Sequence, residues 1–338
     1  RDRMKYVSLC LASLAVVALV GCGGGGGKKS SGVTQWTSTT AQRTGATRTD
    51  LVWVNTGGTA VGTSDNRLVT YTEAGGFTVF GTLGGATSKG FMVNDSGVAV
   101  GQADNGTVTR AVQTSGTGLV EFSLALSPTQ NSSATVINNE GTVAGVIWDG
   151  SGYDVWRISG STVQTLTDLG GTGVTTVNGI NATGQLTGSA SKADGTFQAY
   201  RTQGNSLVQI GGNPGAFAQG YAINATGTVV GSFTLNGFQV PFKAEGATIT
   251  ALPMPLGATD GIAFGVNDGG DIVGCVTISG KNFAYLWRGT SGFDLNSSLK
   301  AALPAGASLT VAKSIRNNGT IVSQLNINGQ DHSAILKP

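Results

Sequence analysis

One phrase recurs along the chain at a nearly fixed interval, and no other feature restricts the fold as much. A β-branched residue is followed by Asn, two variable residues, Gly, and an apolar stretch that carries a second Gly. It occurs as Val54-Asn55 with Gly58 and Gly62, Val93-Asn94 with Gly97 and Gly101, and Ile137-Asn138 with Gly141 and Gly145. It returns as Ile180-Asn181 with Gly184 and Gly188, Ile223-Asn224 with Gly227 and Gly231, and Val266-Asn267 with Gly270 and Gly274. A seventh copy has drifted: Ile315 precedes Arg316 at the Asn position, Gly319 is kept, and Ser323 stands at the second Gly. Self-similarity at a period of about 43 residues is the mark of an architecture in which each unit buries its apolar face against its neighbours.

Each repeat reads as four strands. The first ends at the β-branched residue before Asn, and the phrase itself is a hairpin turn. Asn can bond its own backbone two residues on, and Gly takes the positive-φ position after a type I turn. The second strand follows, as in Thr228-Val229-Val230-Gly231-Ser232. Its adjacent apolar residues mark a sheet covered on both faces. The third carries an aromatic and then a base: Trp156-Arg157, Tyr200-Arg201, Phe242-Lys243 and Trp287-Arg288. The fourth is placed at residues 77–83, 119–124, 163–169 and 207–210, and often ends in a glycine pair, as at Gly84-Gly85, Gly170-Gly171 and Gly211-Gly212.

Four strands of about five residues, with their turns, make a unit the size of a propeller blade. The expected fold is therefore all-β: a seven-bladed β-propeller built from seven four-stranded repeats, filling residues 33–338 as one domain. Closure supports this. The seventh repeat runs only to its third strand, Ser333-Ala334-Ile335-Leu336, while one spare strand-like segment, residues 33–38, precedes the first repeat. That segment is expected to supply the missing fourth strand and lock the ring, which removes an otherwise exposed edge.

The phrases Phe80-Gly81-Thr82-Leu83-Gly84-Gly85, Gly179-Ile180-Asn181-Ala182-Thr183-Gly184 and Phe283-Ala284-Tyr285-Leu286-Trp287 resemble the HAF repeats of bacterial extracellular proteins. The resemblance covers nearly all of the chain after its leader. The His-Ala-Phe signature itself is mostly altered: Gln198-Ala199-Tyr200 keeps the Ala and the aromatic, and His332-Ser333-Ala334 keeps a His. The resemblance implies an exported repeat protein and carries no catalytic residue with it.

The N-terminus reads as an export signal. Met4, taken as the start, and Lys5 open a basic region, and an apolar stretch runs over residues 7–20, the length of a signal-peptide core and short for a membrane span. Leu19-Val20-Gly21-Cys22 resembles the lipobox of bacterial lipoproteins, which implies cleavage between Gly21 and Cys22 and lipidation of Cys22. Residues 1–21 are thus assigned as signal peptide and residues 22–32, Gly-rich, as lipidated Cys and flexible tether. Several acyl chains give the stable anchoring that one does not. Gly23, where inner-membrane retention uses Asp, points to the outer membrane or cell surface of the envelope.

Loss of the leader with Arg1, Asp2, Arg3 and Lys5 brings the 20 basic and 18 acidic residues to equality. A neutral surface offers no basis for nucleic-acid binding, which rests on phosphate neutralisation. Of three cysteines, Cys10 leaves with the leader, Cys22 is lipidated, and Cys275 remains in the apolar strand Ile272-Val273-Gly274-Cys275-Val276 as a buried thiol. The only His is His332, so neither a nucleophile–His–acid site nor a His-rich zinc site is available. The Gly runs lack a P-loop Lys, and Asn267-Asp268-Gly269-Gly270-Asp271 lacks the downstream Glu of an EF-hand.

Two readings of function follow. The first is a lipid-anchored, monomeric propeller without cofactor or metal that binds or scaffolds a protein or glycan, non-enzymatic, with the membrane as its other partner. The second is an extracytoplasmic carbohydrate-active hydrolase or lyase with acids gathered at the axis. Its candidates are Asp95, Asp268 and Asp271 in the hairpin turns, where Ala182 and Ala225 occupy the same turn in other repeats and favour a role as solvated turn formers. The third-strand aromatics are read as core between blades, with a sugar-stacking surface as the alternative. For the anchor, Cys22→Ala should abolish incorporation of a radiolabelled fatty acid and leave unprocessed precursor; undiminished label would refute the lipoprotein assignment.

Overall fold

The computed structural model describes residues 34–338 apart from residues 149, 151 and 212–216. The assigned signal peptide, the Gly21/Cys22 cleavage site, the lipidation site at Cys22, the tether and Gly212 lie outside the described residues. In every repeat the phrase closes a hairpin in the same way. The amide of the Gly donates to the Asn carbonyl, as from Gly58 to Asn55 at 3.2 Å, and the Asn amide donates to the residue four on, as from Asn55 to Thr59 at 2.9 Å. Gly58, Gly97, Gly141, Gly184, Gly227, Gly270 and Gly319 all hold φ between +78° and +86°, where a Cβ is strained.

The strands assemble into seven four-stranded antiparallel sheets. Six are simple meanders of consecutive strands. The first, for example, runs Thr49–Val54, Ala60–Ser64, Arg67–Thr72 and Gly76–Val79. The innermost strands of the seven blades are Thr49–Val54, Ser88–Val93, Asn131–Ile137, Gly170–Ile180, Ala218–Ile223, Ala258–Val266 and Ala307–Ile315. Each packs against the next, and the seventh packs against the first, which closes the ring. The fold is a seven-bladed β-propeller. Three outer strands are shorter than the sequence implies, four residues each, at Gly76–Val79, Gly118–Glu121 and Thr162–Thr165, while Ser206–Gln209 has the expected length one residue earlier. The apolar residues after them, such as Phe80, Leu124, Leu166 and Ile210, leave the sheet and bury themselves at the start of the connection to the next blade.

The seventh blade is completed from the other end of the chain. Thr37–Ala41 pairs antiparallel with Gln330–Lys337, from Thr37 opposite Lys337 to Ala41 opposite Ser333. The closing strand is the spare segment of the sequence, displaced toward the C-terminus by four residues. The reason is Trp36. It is buried, its indole NH donates to the Gly319 carbonyl at 3.0 Å, and its backbone bridges to Ser298 and Lys300 instead of entering the blade.

The core is a set of wedges between blades rather than one central cluster. Leu51, Val54, Ala60 and Val69 of blade one meet Val322 and Ile335 of blade seven, with Ala41 of the closing strand. Val61 and Leu68 meet Val93 and Ala99 of blade two. The third-strand aromatics Trp156, Tyr200, Phe242 and Trp287 are all buried in such wedges, so they form no sugar-stacking surface. Cys275 is buried, as expected.

The second Gly of the phrase has a cause that only the structure shows. A Cβ on Gly62, Gly101, Gly145, Gly188, Gly231 or Gly274 would lie 1.8–2.0 Å from the carbonyl oxygen of Asp50, Lys89, Ser133, Thr176, Gln219 or Ile262 respectively, in the adjacent innermost strand. Just past that carbonyl the register of the innermost strand slips by one residue, a β-bulge. In blade seven the Gly is Ser323, and its hydroxyl donates to the equivalent carbonyl of Val311 at 2.9 Å.

Removing residues 1–41 should cost more than removing residues 1–33. The longer deletion empties the Trp36 site and bares the edge of Gln330–Lys337, a loss of at least about 3 kcal/mol, together with aggregation through the new edge. Thermal unfolding of the two truncated chains compares them directly; equal melting temperatures would show that the ring closes without this strand.

Candidate functional site

In a ring of meanders, the first–second and third–fourth turns lie on one face and the remaining connections on the other. The seven Asn-type turns therefore surround the axis on the first of these, the turn face. Their side chains tie blade to blade. Asn55 Nδ2 donates to the Asn94 carbonyl at 2.9 Å, and the same bond links Asn94 to Asn138, Asn138 to Asn181, Asn181 to Asn224, Asn224 to Asn267 and Asn267 to Arg316 at 3.1–3.4 Å. The other end of most of these amides closes its own turn: Oδ1 accepts from the backbone of Thr59, Val98, Thr142, Gln185, Thr228 and Asp271. The Asn side chains are buried. One short side chain thus satisfies two orphan groups, worth about 1 kcal/mol each.

The seventh link differs because Arg316 replaces Asn. Its guanidinium lies 5.2 Å from the ring centre of Trp53 and 3.7 Å from Asp95, with Asp268 contributing on its other side. Burial lowers the pKa of Arg316, and the charges of Asp95 and Asp268 oppose that shift. Beneath this mouth is a cavity of about 140 Å³, walled by the β-branched residue before the Asn position in six of the seven repeats, among them Ile137, Ile180 and Ile223, and by Trp53.

Two of the three carboxylates singled out in the sequence reach this mouth, where both are exposed in their turns as that reading expects and each also reaches its neighbours. Asp95 Oδ1 accepts from the Thr56 amide at 2.8 Å, and Oδ2 accepts from the Thr56 hydroxyl at 3.0 Å and from Asn139 Nδ2 at 2.7 Å. Asp268 likewise accepts from the Ala225 amide at 2.8 Å and from Asn317 Nδ2 at 2.6 Å. Each carboxylate bridges neighbouring turns. Burial raises the Asp95 pKa, but the bonds from Thr56 and Asn139 and the Arg316 charge outweigh it and hold the carboxyl below the usual range. Asp271 stands apart in a two-pronged pair with Arg288, Nε to Oδ1 at 2.7 Å and Nη2 to Oδ2 at 2.6 Å. The bases after the third-strand aromatics serve the frame too: Arg201 donates to the Gly227 carbonyl of the next blade at 3.0 Å. His332 sits in the third strand of blade seven with Nδ1 3.2 Å from Gln42 Oε1, far in the chain from any of these groups. Among the described residues, no three His, Cys, Asp or Glu gather as metal ligands would.

Sequence reasoning missed a second ring. The residue skipped by the register slip is always the third before the Asn position: Val52, Phe91, Thr135, Asn178, Tyr221, Phe264 and Lys313. A bulge re-aims its side chain. All seven stay part-exposed while most of their strand neighbours are buried. Their contacts run from one innermost strand to the next around the axis. Asn178 Nδ2 donates to the Gly220 carbonyl at 2.8 Å, Tyr221 and Phe264 meet edge to face at 4.8 Å, and Lys313 pairs with Asp50. They form a belt along the innermost strands, one residue per blade, apart from the lining of the cavity at the turn mouth. The signal that would have found it is the second Gly, whose absent Cβ marks the bulge.

No protein-family model matches this chain, and no curated protein matches it. Solved structures do resemble it. A puromycin-hydrolysing peptidase of Mycobacterium tuberculosis aligns with a TM-score of 0.56 at 12% identity, covering 82% of this chain and 49% of that one. A puromycin hydrolase variant aligns with a TM-score of 0.54 at 14% identity, covering 83% and 51%. The β-propeller domain of the Trilobed protease from Pyrococcus furiosus gives a TM-score of 0.42 at 12% identity, covering 71% and 91%. This chain spans about half the length of the two hydrolases, and at these identities the likeness is one of fold alone.

Because the folded pKa of Asp95 is depressed, its contribution is complete above the ordinary carboxylate pKa of about 4 and is lost as pH falls through the lower folded value. Asp95→Asn should therefore cost roughly 0.5–1 kcal/mol at neutral pH, and the gap to the parent should close in acid. Thermal unfolding across pH measures it; a gap independent of pH would refute the role given to the carboxylate.

Proposed function

We propose that this chain is a lipid-anchored β-propeller of the bacterial envelope that holds a glycan or protein ligand rather than transforming a substrate. The observation that carries this reading is the state of the mouth carboxylates. Asp95 and Asp268 accept hydrogen bonds from neighbouring turns and share Arg316. A general acid needs its pKa raised toward neutrality, and Asp95 is shifted the other way. Asp95 stabilises the ring and is held away from the protonated form that a general acid needs, while Asp268 is engaged by the neighbouring turns. The frame is rigid and strictly repeated, whereas the belt residues differ in nearly every blade, an arrangement suited to selecting a ligand on a fixed scaffold. The hydrolase likenesses do not bear on this, since fold does not carry chemistry with it.

The test is a glycan array probed with the full chain in detergent, followed by mass spectrometry of every glycan retained. Retention with the glycan unchanged is the expected result. New reducing ends, or unsaturated termini, would overturn the reading in favour of a hydrolase or lyase.

A further inference from the structure

The belt, like the turn residues after Asn, is a position of the repeat at which chemistry varies while geometry does not. The residue before Asn is Val or Ile in all seven repeats, and the turn Gly is invariant. The belt position instead runs through Val, Phe, Thr, Asn, Tyr, Phe and Lys, all at one height on the axis. Its chemistry is sorted by sector. Thr135, Asn178 and Tyr221 on blades three to five supply hydroxyls and an amide. Tyr221 and Phe264 on blades five and six form an aromatic corner. Lys313 on blade seven brings the belt's single charge.

The layer two residues toward the opposite face holds more charge. Asp50, which pairs with Lys313, is there, and the equivalent residue of blade two is Lys89, which is exposed. Arg48 lies 4.0 Å from Asp50 and is well exposed. In that layer Thr176 accepts from Asn178 at 3.3 Å, and Gln219 accepts from the Tyr221 hydroxyl at 2.8 Å. This end of the axis thus sets Lys313, Lys89 and Arg48 against Asp50 and Asp260, the last at the position of blade six equivalent to Arg48 and Lys313 itself largely buried beside Asp50, while the turn face sets Arg316 against Asp95 and Asp268. The field along the axis favours an anion entering from the end opposite the turns.

We propose that the belt is a binding site for an anionic sugar, a uronic acid or a uronide end of a chain. Its carboxylate pairs with Lys313, one face of its ring lies on the Tyr221–Phe264 corner, and its hydroxyls reach Asn178 and Thr135. A neutral sugar lacks the group for Lys313, and a simple carboxylate lacks the face and hydroxyls for the other sectors. This proposal rests on the binding reading above and names its ligand class.

The probes are galacturonate and glucuronate, with galactose and cyclohexanecarboxylate as controls, titrated into the full chain in detergent and read by calorimetry. At least one uronate should bind, each control at least tenfold more weakly, and added salt should weaken the uronate. Lys313→Gln and Phe264→Leu should each weaken it at least tenfold, Lys313→Arg should restore most of the loss, and His332→Ala should change nothing. Melting temperatures are taken for every variant, and Phe264→Leu keeps the test sound if Lys313→Gln unfolds. Absence of uronate binding, equal binding of galactose, or full binding by a folded Phe264→Leu variant would overturn the belt assignment. Glycans retained on the array and not displaced by uronates would leave the binding reading standing while sinking this one; turnover of the uronide would sink the binding reading and leave the site.

Discussion

The ring depends on one primary amide used at both ends. In each of six blades the Asn side chain closes its own hairpin through Oδ1 and holds the next blade through Nδ2. A shorter donor would not reach across the blade gap. A longer one would spend rotamer freedom to do so, and a carboxylate has no donor to send. Because the bond runs to a backbone carbonyl, it is indifferent to the neighbour's side chain. It fixes only the separation and angle between successive turns, which is what a closed ring requires of every blade alike. Hydrophobic wedges supply the bulk of the stability, but they would tolerate small changes of angle that the Asn chain does not.

The second constraint is steric and sits one strand away. A carbonyl of the innermost strand approaches the second-strand Gly at a distance no Cβ allows, and the strand bulges past it. The bulge takes one residue per blade out of the ladder and leaves it part-exposed, releasing that position from the wedges between blades. Residues on either side must fit a wedge, so they stay small or apolar. The released residue answers instead to its neighbours around the axis, as Asn178 does to Gly220 and Lys313 to Asp50. This is why a Gly kept in six of seven copies sits beside a position that varies in nearly every one.

Much of this was legible in the sequence. The period, the turn chemistry and the spare N-terminal strand led to seven four-stranded blades and a ring closed by both ends of the chain. The closing strand was misplaced by four residues because Trp36, which looks like part of a strand, is held instead by Gly319, Ser298 and Lys300, partners nearly the length of the chain away. The carboxylates at the mouth were read as solvated turn residues, and they are exposed, but the bonds they make to neighbouring turns were not legible. Their hydrogen bonds join residues 39 to 49 positions apart, and local pattern holds no record of such pairs. The belt was missed for a related reason: position-by-position reading looks for what repeats, and the belt is visible only as what does not.

The seventh repeat shows how the two constraints can be met by other means. It departs from the phrase at both diagnostic positions, and in each case a different group does the same work. Ser323 replaces the Gly, and its hydroxyl bonds the carbonyl that would otherwise press on Cα. Arg316 replaces the Asn and reaches blade one through Trp53 and blade two through Asp95, while Asn318 Nδ2 donates to the Thr56 carbonyl at 3.4 Å. This blade is also the only one whose sheet is assembled from distant parts of the chain. Closing the ring brings together segments nearly a whole chain apart, so this closure carries a larger loop entropy cost than any of the six local meanders. A long side chain that reaches two blades at once, with an aromatic face and a carboxylate to find, tolerates more misalignment at that closure than an amide that must meet one carbonyl. The drift of the seventh repeat is thus concentrated where the ring has to be closed rather than continued.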